Sequence, residues 1–215
     1  MNKGGAHWLI FIIIILGSLG AIFGYKIAMK SENKISKDAS VKSLGYTGNP
    51  IAVMKTNMGE IKLELFAKDA PETVGNFIKL SNEKFYNGTR FHRVIKGFMI
   101  QGGDPNSKGT DTSKYGFGGS GYTIQDEFVA GLSNVRGTIA MANTGQPNSG
   151  GSQFFINLAD NTGLDFDKPP FTSSHPVFGK VIKGMDVVDA IAGVQTGANN
   201  IPVVPVVIER IIIAE

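Results

Sequence analysis

The spacing of apolar residues from Pro50 onward predicts a fold built mainly of β-strands. Ile61, Leu63 and Leu65 alternate with charged residues, which is the period of a half-buried strand. Short apolar runs that fit further strands cover residues 51–54, 91–95, 98–101, 138–142, 153–157, 177–181 and 206–213. Because many short strands with few helices are typical of barrels, we predict a closed antiparallel β-barrel.

Two stretches have the periodicity of helices instead. Pro71 opens an amphipathic pattern that runs to Asn82, and a proline followed by Glu72 suits the first turn of a helix. A second, shorter amphipathic pattern covers residues 185–191. The predicted fold class is therefore mainly β, with two α-helices that cap the barrel.

The N-terminal segment predicts attachment to a membrane. Trp8 to Tyr25 is an uncharged stretch of 18 residues, close to the ~20 apolar residues that cross a bilayer as a helix. Its aromatic ends suit the two membrane interfaces. A cleaved signal peptide is the alternative, although only Lys3 forms its basic region and no clean cleavage site follows. We predict a single-pass anchor over residues 1–26, with the side of the membrane left open.

The distribution of charge separates this segment from the rest of the chain. Of 21 basic and 18 acidic residues, six and two respectively lie before residue 49, which leaves 15 and 16 for the remainder. A nucleic-acid-binding face is therefore not indicated. Residues 27–48 are rich in Lys and Ser without apolar periodicity and predict a tether, followed by one domain over residues 49–215. The chain has no cysteine, so disulfides and thiolate chemistry are excluded.

Several short patterns point only weakly to other chemistry. Residues 116–121 match G-x-G-x-x-G, but an extended segment follows where a dinucleotide site needs a helix, so we favour a turned loop. Ser120 and Ser152 do not lie in the G-x-S-x-G pattern of hydrolases. His92 and His175 lack clustered carboxylates and make a poor metal site. We predict neither a metal nor a cofactor.

Two longer blocks carry the strongest signal. The first is FHRVIKGFMIQGGD at residues 91–104, and the second is MANTG at residues 141–145, which leads into GSQFFI at residues 151–156. In this order and spacing they resemble the cyclophilins, and the similarity extends from about Ile51 to the C terminus. The resemblance implies a closed eight-stranded barrel and peptidyl-prolyl cis/trans isomerase activity on proline-containing polypeptides.

Isomerisation of an X-Pro bond sets modest chemical requirements. The peptide bond must rotate through a twisted state against a barrier of ~18–20 kcal/mol, without proton transfer or covalent attack. An apolar slot for the proline ring and a fixed donor aimed at the twisted amide would suffice. Arg93 is the natural donor, because its guanidinium is always charged and rigidly forked. The resemblance likewise implies that Arg93 is the catalytic residue.

The resemblance also implies a set of substrate-binding residues. Those expected to line the proline slot, to hold the peptide backbone or to flank it are Phe98, Met99, Gln101, Ala142, Asn143, Gln153, Phe155, Leu164 and His175. Ordinary core packing is the alternative for Phe98, Met99 and Phe155, because periodicity does not separate the two roles. For Asn143 the alternative is a turn, since Asn-Thr-Gly is turn chemistry.

One position departs from the family pattern. Many cyclophilins have Trp or Phe before the leucine that matches Leu164, and this chain has Gly163. An insertion follows at residues 167–171, and its Phe171 could fill the gap. We expect weak or no binding of cyclosporin-like macrocycles. Gly163 also supports an alternative function, a membrane-tethered module or chaperone that binds proline peptides with little turnover.

Overall fold

The computed structural model describes residues 48–170 and 173–214. The predicted anchor over residues 1–26 and nearly all of the tether lie outside these residues. In the part of the chain that is described, no helix combines the length and apolar character needed to span a membrane.

Eight strands and two α-helices form the domain. The strands are β1 (Ile51–Thr56), β2 (Gly59–Leu65), β3 (Arg93–Ile95), β4 (Met99–Gly102), β5 (Thr138–Met141), β6 (Phe154–Asn157), β7 (Val177–Lys183) and β8 (Ile208–Ala214). The helices are α1 (Pro71–Asn82) and α2 (Met185–Ala192). All strand pairs are antiparallel, in the order β3-β4-β6-β5-β7-β2-β1-β8. The mainly-β class, the eight strands and the two helices are thereby confirmed.

Strand alternation places one face of the sheet in the core. Ile61, Leu63 and Leu65 are completely buried, whereas Lys62 and Glu64 between them are half-buried. α1 packs an apolar face over this side, and its Phe77 is also fully buried. Removing each such side chain from water contributes about 1.5–3 kcal/mol to stability.

An aromatic cluster joins α1 to the sheet. The ring of Phe77 lies 5.2 Å from Tyr86, 5.6 Å from Phe154 and 5.5 Å from Phe178 between ring centroids. Phe154 lies in β6 and Phe178 in β7, so the helix is held against strands far apart in sequence. Tilted and edge-on contacts of this kind add to the free energy of simple apolar burial.

The prediction of a closed barrel is wrong. The sheet is open between its edge strands β3 and β8. Within the described residues, the segment before β3 reaches β8 through an isolated bridge between Arg90 and Val207 and a backbone hydrogen bond from Gly88 to Ile208 (2.8 Å). Pro202 and Pro205 precede β8, and proline has no backbone N–H with which to extend a ladder. On the opposite side of this segment, next to the turn between β1 and β2, the Asn57 side chain donates to the carbonyl of Pro205 (3.0 Å) and accepts the amide of Val207 (2.9 Å).

The N terminus of α1 is capped by a residue distant in sequence. Ala70 at the N-cap position offers no side-chain acceptor. Instead the Glu127 carboxylate accepts the amides of Glu72 (3.0 Å) and Thr73 (2.7 Å) and the Thr73 hydroxyl (2.7 Å). A negative charge at a helix N terminus is also favourable to the helix dipole. The contact fastens the segment around residue 127 to the helix.

A second polar side chain of α1 positions two other loops. The amide of Asn76 donates to the carbonyl of Gly151 (2.7 Å), and its oxygen accepts the Tyr122 hydroxyl (2.7 Å). Asn76 is almost fully buried, so both of its bonds are shielded from water. Gly151 and Tyr122 both line the largest cavity described below, which ties the helix to the shape of that cavity.

Candidate active site

The strand register brings several predicted site residues into one row. Arg93 on β3 lies opposite Gln101 on β4, and Gln101 lies opposite Phe155 on β6. The row continues through Ala140 on β5 to Val177 on β7. Residues directly opposite one another in a sheet project from the same face. A single face of five strands therefore carries the guanidinium, an amide and an apolar surface.

A chain of hydrogen bonds fixes the polar side chains of this row. Arg93 donates to the Gln101 oxygen (3.3 Å), and the Gln101 amide donates to the Gln153 oxygen (3.0 Å). The Gln153 amide in turn donates to the carbonyls of Gly116 (2.9 Å) and Gly118 (2.7 Å). Within the described residues Arg93 makes no other side-chain hydrogen bond, so the remaining N–H groups of its fork are available to a bound peptide.

The apolar residues predicted for the proline slot form one cluster. Met99 and Phe155 are buried, with 2% and 4% of their surface exposed, and make the floor. Phe98 and Leu164 are half-buried and pack beside them. Other members of the cluster are Ala140, Val177, Phe66, Ile95, Leu132 and Ala142. This cluster is separate from the main core, as expected for a pocket floor, although its role in binding proline stays a prediction.

His175 lies at the edge of this cluster. Its Nδ1 lies 2.9 Å from the carbonyl of Met141, and its backbone amide donates to the carbonyl of Leu164 (2.9 Å). The ring stands edge-on to Phe155, with 5.2 Å between centroids. Burial lowers the pKa of His175 below its ordinary value, and the bond to Met141 opposes this only in part. The imidazole is therefore uncharged at neutral pH, which keeps this wall apolar.

A cavity of about 280 Å³ lies next to the cluster. It is lined by Gln101, Ala142, Asn143, Gln153, the loop 116–119 and neighbouring residues. The Asn143 amide donates to the Ser174 carbonyl (2.7 Å), and its oxygen accepts the Gly145 amide (3.1 Å). Asn143 thus also serves as a turn former, and its contact with a peptide backbone stays a prediction.

The glycine-rich loop wraps a buried carboxylate. Asp104 is fully buried and accepts the amides of Asn106 and Gly116. A Cβ atom at Gly118 would collide with Asp104, so glycine is required for this close approach. In the described chain no strand ends directly before residues 116–121 and no helix begins directly after them, so the context of a dinucleotide site is lacking.

His92 and Arg93 point in opposite directions, as expected for neighbours near a strand. His92 is 3% exposed and packs edge-on against Tyr115 with 6.5 Å between centroids, whereas Arg93 is half-buried. Burial lowers the pKa of His92, although the Asp104 carboxylate acts in the other direction. His92 therefore supports the glycine-rich loop as an uncharged ring and takes no place in the row that carries Arg93.

A buried network behind the pocket was missed at the level of sequence. The Asn134 amide donates to the carbonyls of Leu164 (3.3 Å) and His175 (3.1 Å) and to the Asp165 carboxylate (3.0 Å). The Asn134 oxygen accepts from Asn157 (3.2 Å). This network fixes the backbone of two predicted pocket residues. A polar residue ending a buried strand, as Asn157 does, is a signal that could have indicated it.

Asp165 anchors the outer part of this network. It is 2% exposed and accepts from the backbone N–H of Asn134 (2.7 Å), the Lys168 ammonium (2.8 Å) and the Ser133 hydroxyl. Burial acts to raise the pKa of Asp165, but these hydrogen bonds outweigh it and hold the pKa below its ordinary value. The ionised form is therefore part of the folded structure.

The insertion after Gly163 partly covers the position of the missing aromatic residue. A Cβ atom at Gly163 would lie 3.5 Å from Cδ of Pro170 and 3.9 Å from the carbonyl oxygen of Pro169. Proline therefore occupies the space directly beside this glycine. Phe171, which we expected to fill the gap, lies outside the described residues. Among the described residues no cluster of three His, Asp or Glu is placed to hold a metal ion.

Comparison with known proteins identifies the family. A family model described as cyclophilin type peptidyl-prolyl cis-trans isomerase matches residues 51–213. The chain belongs to the cyclophilin family. A peptidyl-prolyl cis-trans isomerase of Acinetobacter baylyi is 47% identical over 164 residues, which cover 74% of this cyclophilin and 82% of the relative. Peptidyl-prolyl cis-trans isomerase B of Escherichia coli is 44% identical over 167 residues, which cover 74% of this chain and 97% of the relative.

Solved structures agree with this assignment. A Cryptosporidium parvum cyclophilin superposes with a TM-score of 0.68 at 32% identity and covers 78% of this chain and 98% of its own. A structure of the same protein in the presence of the dipeptide Ala-Pro gives a TM-score of 0.67 at 32% identity. The match covers 77% of this chain and 99% of that protein's chain. This cyclophilin is an enzyme, a peptidyl-prolyl cis-trans isomerase.

The ionised Asp165 predicts an acid-dependent loss of stability. Because its pKa is lower in the folded than in the unfolded chain, Asp165 stabilises the fold above the ordinary carboxyl pKa, and this contribution is lost as pH falls through the folded pKa. We expect Asp165→Asn to lower the free energy of unfolding by about 2 kcal/mol at pH 7. The difference in free energy of unfolding between Asp165→Asn and the parent protein should shrink below about pH 4.

Urea unfolding at a series of pH values measures this difference. The control is Asp69→Asn, at an exposed carboxylate beside α1, which should change the free energy by less than about 0.5 kcal/mol. If Asp165→Asn lowers the free energy of unfolding by the same amount from pH 7 to pH 2.5, the charge of Asp165 does not contribute to stability, and this prediction is wrong.

Proposed function

We propose that this cyclophilin accelerates rotation about X-Pro bonds by electrostatic stabilisation of the twisted amide by Arg93. The observation that carries the proposal is the row in which Arg93, Gln101 and Phe155 face the same side of β3, β4 and β6. A donor that is positioned before the reaction needs no reorganisation when amide resonance is lost. An acceleration of a thousandfold requires about 4 kcal/mol of preferential stabilisation of the twisted state.

Gln101 gives Arg93 its orientation. The guanidinium donates to an oxygen whose own amide is held by Gln153, and Gln153 is held by two backbone carbonyls. Each member therefore loses little freedom when a peptide binds. In this mechanism the remaining N–H groups of Arg93 would donate to the proline nitrogen, which becomes a better acceptor when amide resonance is lost. Neither a base nor an acid is needed, which agrees with the uncharged His175 at the pocket edge.

The substrates that suit this site are flexible chains that expose proline. Met99 and Phe155 would contact the proline ring, with Phe98, Leu164 and His175 around it. Gln101 and Asn143 would hold the backbone before the proline, with Ala142 and Gln153 along the adjoining cavity. The cyclophilin from Cryptosporidium parvum studied with Ala-Pro supports a proline-containing ligand. Assistance to the folding of proline-containing proteins follows from this chemistry.

Binding without turnover is the alternative function. Gly163 lacks the aromatic wall that many cyclophilins have, and a looser pocket would hold the proline ring less firmly. A membrane-tethered module or chaperone would still bind proline peptides through Gln101 and the apolar floor. Such a protein would need neither the fixed fork of Arg93 nor its charge.

Substitution of Arg93 distinguishes the two functions. We expect Arg93→Ala in the full-length chain to lower kcat/KM for an Ala-Pro peptide by on the order of 100-fold, the usual cost of removing a preorganised donor. Arg93→Lys should recover only part of the rate, because an ammonium lacks the planar fork. The measurement is cis/trans exchange by NMR, with peptide binding followed in the same samples.

The control is Arg210→Ala, which removes an exposed arginine of β8 opposite Lys55 and should leave the exchange rate unchanged. If the parent protein binds the peptide but leaves exchange at its uncatalysed rate, the module interpretation stands and the role of Arg93 fails.

The altered wall at Gly163 gives a separate expectation for inhibitors. Loss of one buried aromatic anchor costs about 2 kcal/mol or more of binding free energy, a factor of ~30 in affinity. We therefore expect cyclosporin to inhibit this cyclophilin only weakly while isomerase activity is retained. Inhibition titrations of the purified protein check this, and nanomolar inhibition would contradict it.

We further propose that residues 8–25 anchor the enzyme in a membrane, with residues 27–48 as its tether. The support is the uncharged stretch between Trp8 and Tyr25 in the sequence. The protein should stay in the membrane pellet after carbonate extraction, and protease treatment of intact and opened cells should report the side of the domain. Release into the soluble fraction with a new N terminus near residue 26 would indicate a cleaved signal peptide.

A further inference from the structure

Ser173 and His175 form a hydrogen-bonded pair beside the pocket, a few residues after the insertion. The Ser173 hydroxyl lies 2.8 Å from Nε2 of His175, and Nδ1 of the same ring lies 2.9 Å from the carbonyl oxygen of Met141. A carbonyl oxygen only accepts, so in the neutral ring Nδ1 carries the proton and Nε2 is the acceptor. The Ser173 hydroxyl therefore donates its proton towards Nε2.

This arrangement has the three parts of an activated nucleophile. A hydroxyl lies within hydrogen-bond reach of a base, and a third group orients the base. Here Ser173 supplies the hydroxyl, His175 is the base, and the Met141 carbonyl fixes the tautomer. The rigid strand β5 ends at Met141, so the orienting group belongs to the sheet and not to a loop.

The charge state of His175 suits a base at neutral pH. Burial lowers its pKa, while the Met141 carbonyl and the more distant Asp126 carboxylate act in the opposite direction with smaller effect. The other group packed on the ring is Phe155, which is uncharged. The Nε2 lone pair is therefore free to accept a proton under ordinary conditions.

A cavity lined by Ser173 offers space for a small reactant. A cavity of about 200 Å³ is lined by Ser173, Ser174, Asn143, Asp126, Phe128 and Pro147, with Gly145 and Gln146. An acetyl or other short acyl group fits this volume. Ser173 is half-buried, so a reactant can approach it from the cavity side.

We propose that Ser173 is a base-activated nucleophile and an acylation site for activated carboxylic esters. In the step, the Ser173 oxygen attacks the ester carbonyl carbon while its proton passes to Nε2 of His175. The bond from the carbonyl carbon to the leaving oxygen then breaks, and the leaving group takes the proton from Nε2. The products are an ester on Ser173 and a free alcohol, with His175 neutral again.

Acylation would also block the isomerase. The acyl group would occupy the space beside His175, and Nε2 would lose the hydroxyl donor that it now accepts. A polar atom without a partner would then face the wall of the pocket, at a cost in free energy. We expect acylated protein to lose isomerase activity in proportion to the fraction modified.

The experiment uses the full-length protein and p-nitrophenyl acetate. Release of p-nitrophenolate gives the rate, and mass spectrometry of peptides locates the acetyl group. Ser174 is a matched control within the same chain, because it is also half-buried and lines the same cavity but no hydrogen bond joins it to His175 in the described residues. General-base assistance contributes about 100-fold or more, so Ser173 should be acetylated at least about 100-fold faster than Ser174.

Two variants and a pH series test the role of the base. Ser173→Ala should abolish the fast acetylation, and His175→Gln should lower the rate at Ser173 to that at Ser174. In the unaltered protein the ratio of the two rates should fall as pH is lowered through the titration of His175, below its ordinary pKa. Absence of acetylation at Ser173, equal rates at the two serines, or a ratio unaffected by His175→Gln or by pH would overturn the proposal. None of these readouts depends on the mechanism proposed for Arg93.

Discussion

The antiparallel register of β3, β4 and β6 is the constraint on which the rest of the structure depends. One row across these strands, Arg93, Gln101 and Phe155, faces the site. The neighbouring row, which includes Val94 and Ile100, faces the main core. Because side chains alternate with a period of two, a slip by one residue would move the face that carries Arg93 into the core. Apolar burial on one side therefore enforces the geometry of the polar side chains on the other.

Hydrogen bonds between residues distant in sequence also hold the backbone around the site in place. Asn134 holds the carbonyls of Leu164 and His175, and Asp165 holds Asn134 in turn. Buried amides of this kind stabilise only when every partner is present, since an unsatisfied buried group costs more free energy than a typical hydrogen bond contributes. The pocket wall is thus coupled to stability, and a change that loosens the network would shift the backbone of Leu164 and His175.

The sequence allowed most elements of the fold to be predicted, because their signals are local. Alternation marked β2, and Pro71 marked the start of α1. The catalytic role expected for Arg93 came from the family resemblance and not from residue spacing, and it stays a prediction. The open seam was not predicted, because it depends on how the segment around Arg90 pairs with Val207, more than a hundred residues later in the chain. The asparagine network was missed for the same reason: its partners are 23 to 41 residues apart, and nothing local distinguishes Asn134 from a loop residue.

The position of β1 has a consequence for synthesis on the ribosome. β1 lies between β2, which follows it at once, and β8, whose last residue is Ala214. The hairpin of the first two strands can form early, but the other edge of β1 keeps unpaired backbone groups until translation has passed β8. Such an edge can pair with foreign strands. The nascent domain therefore spends most of its synthesis time in an aggregation-prone state, and chaperones that cover an exposed strand edge would have their greatest effect in that interval.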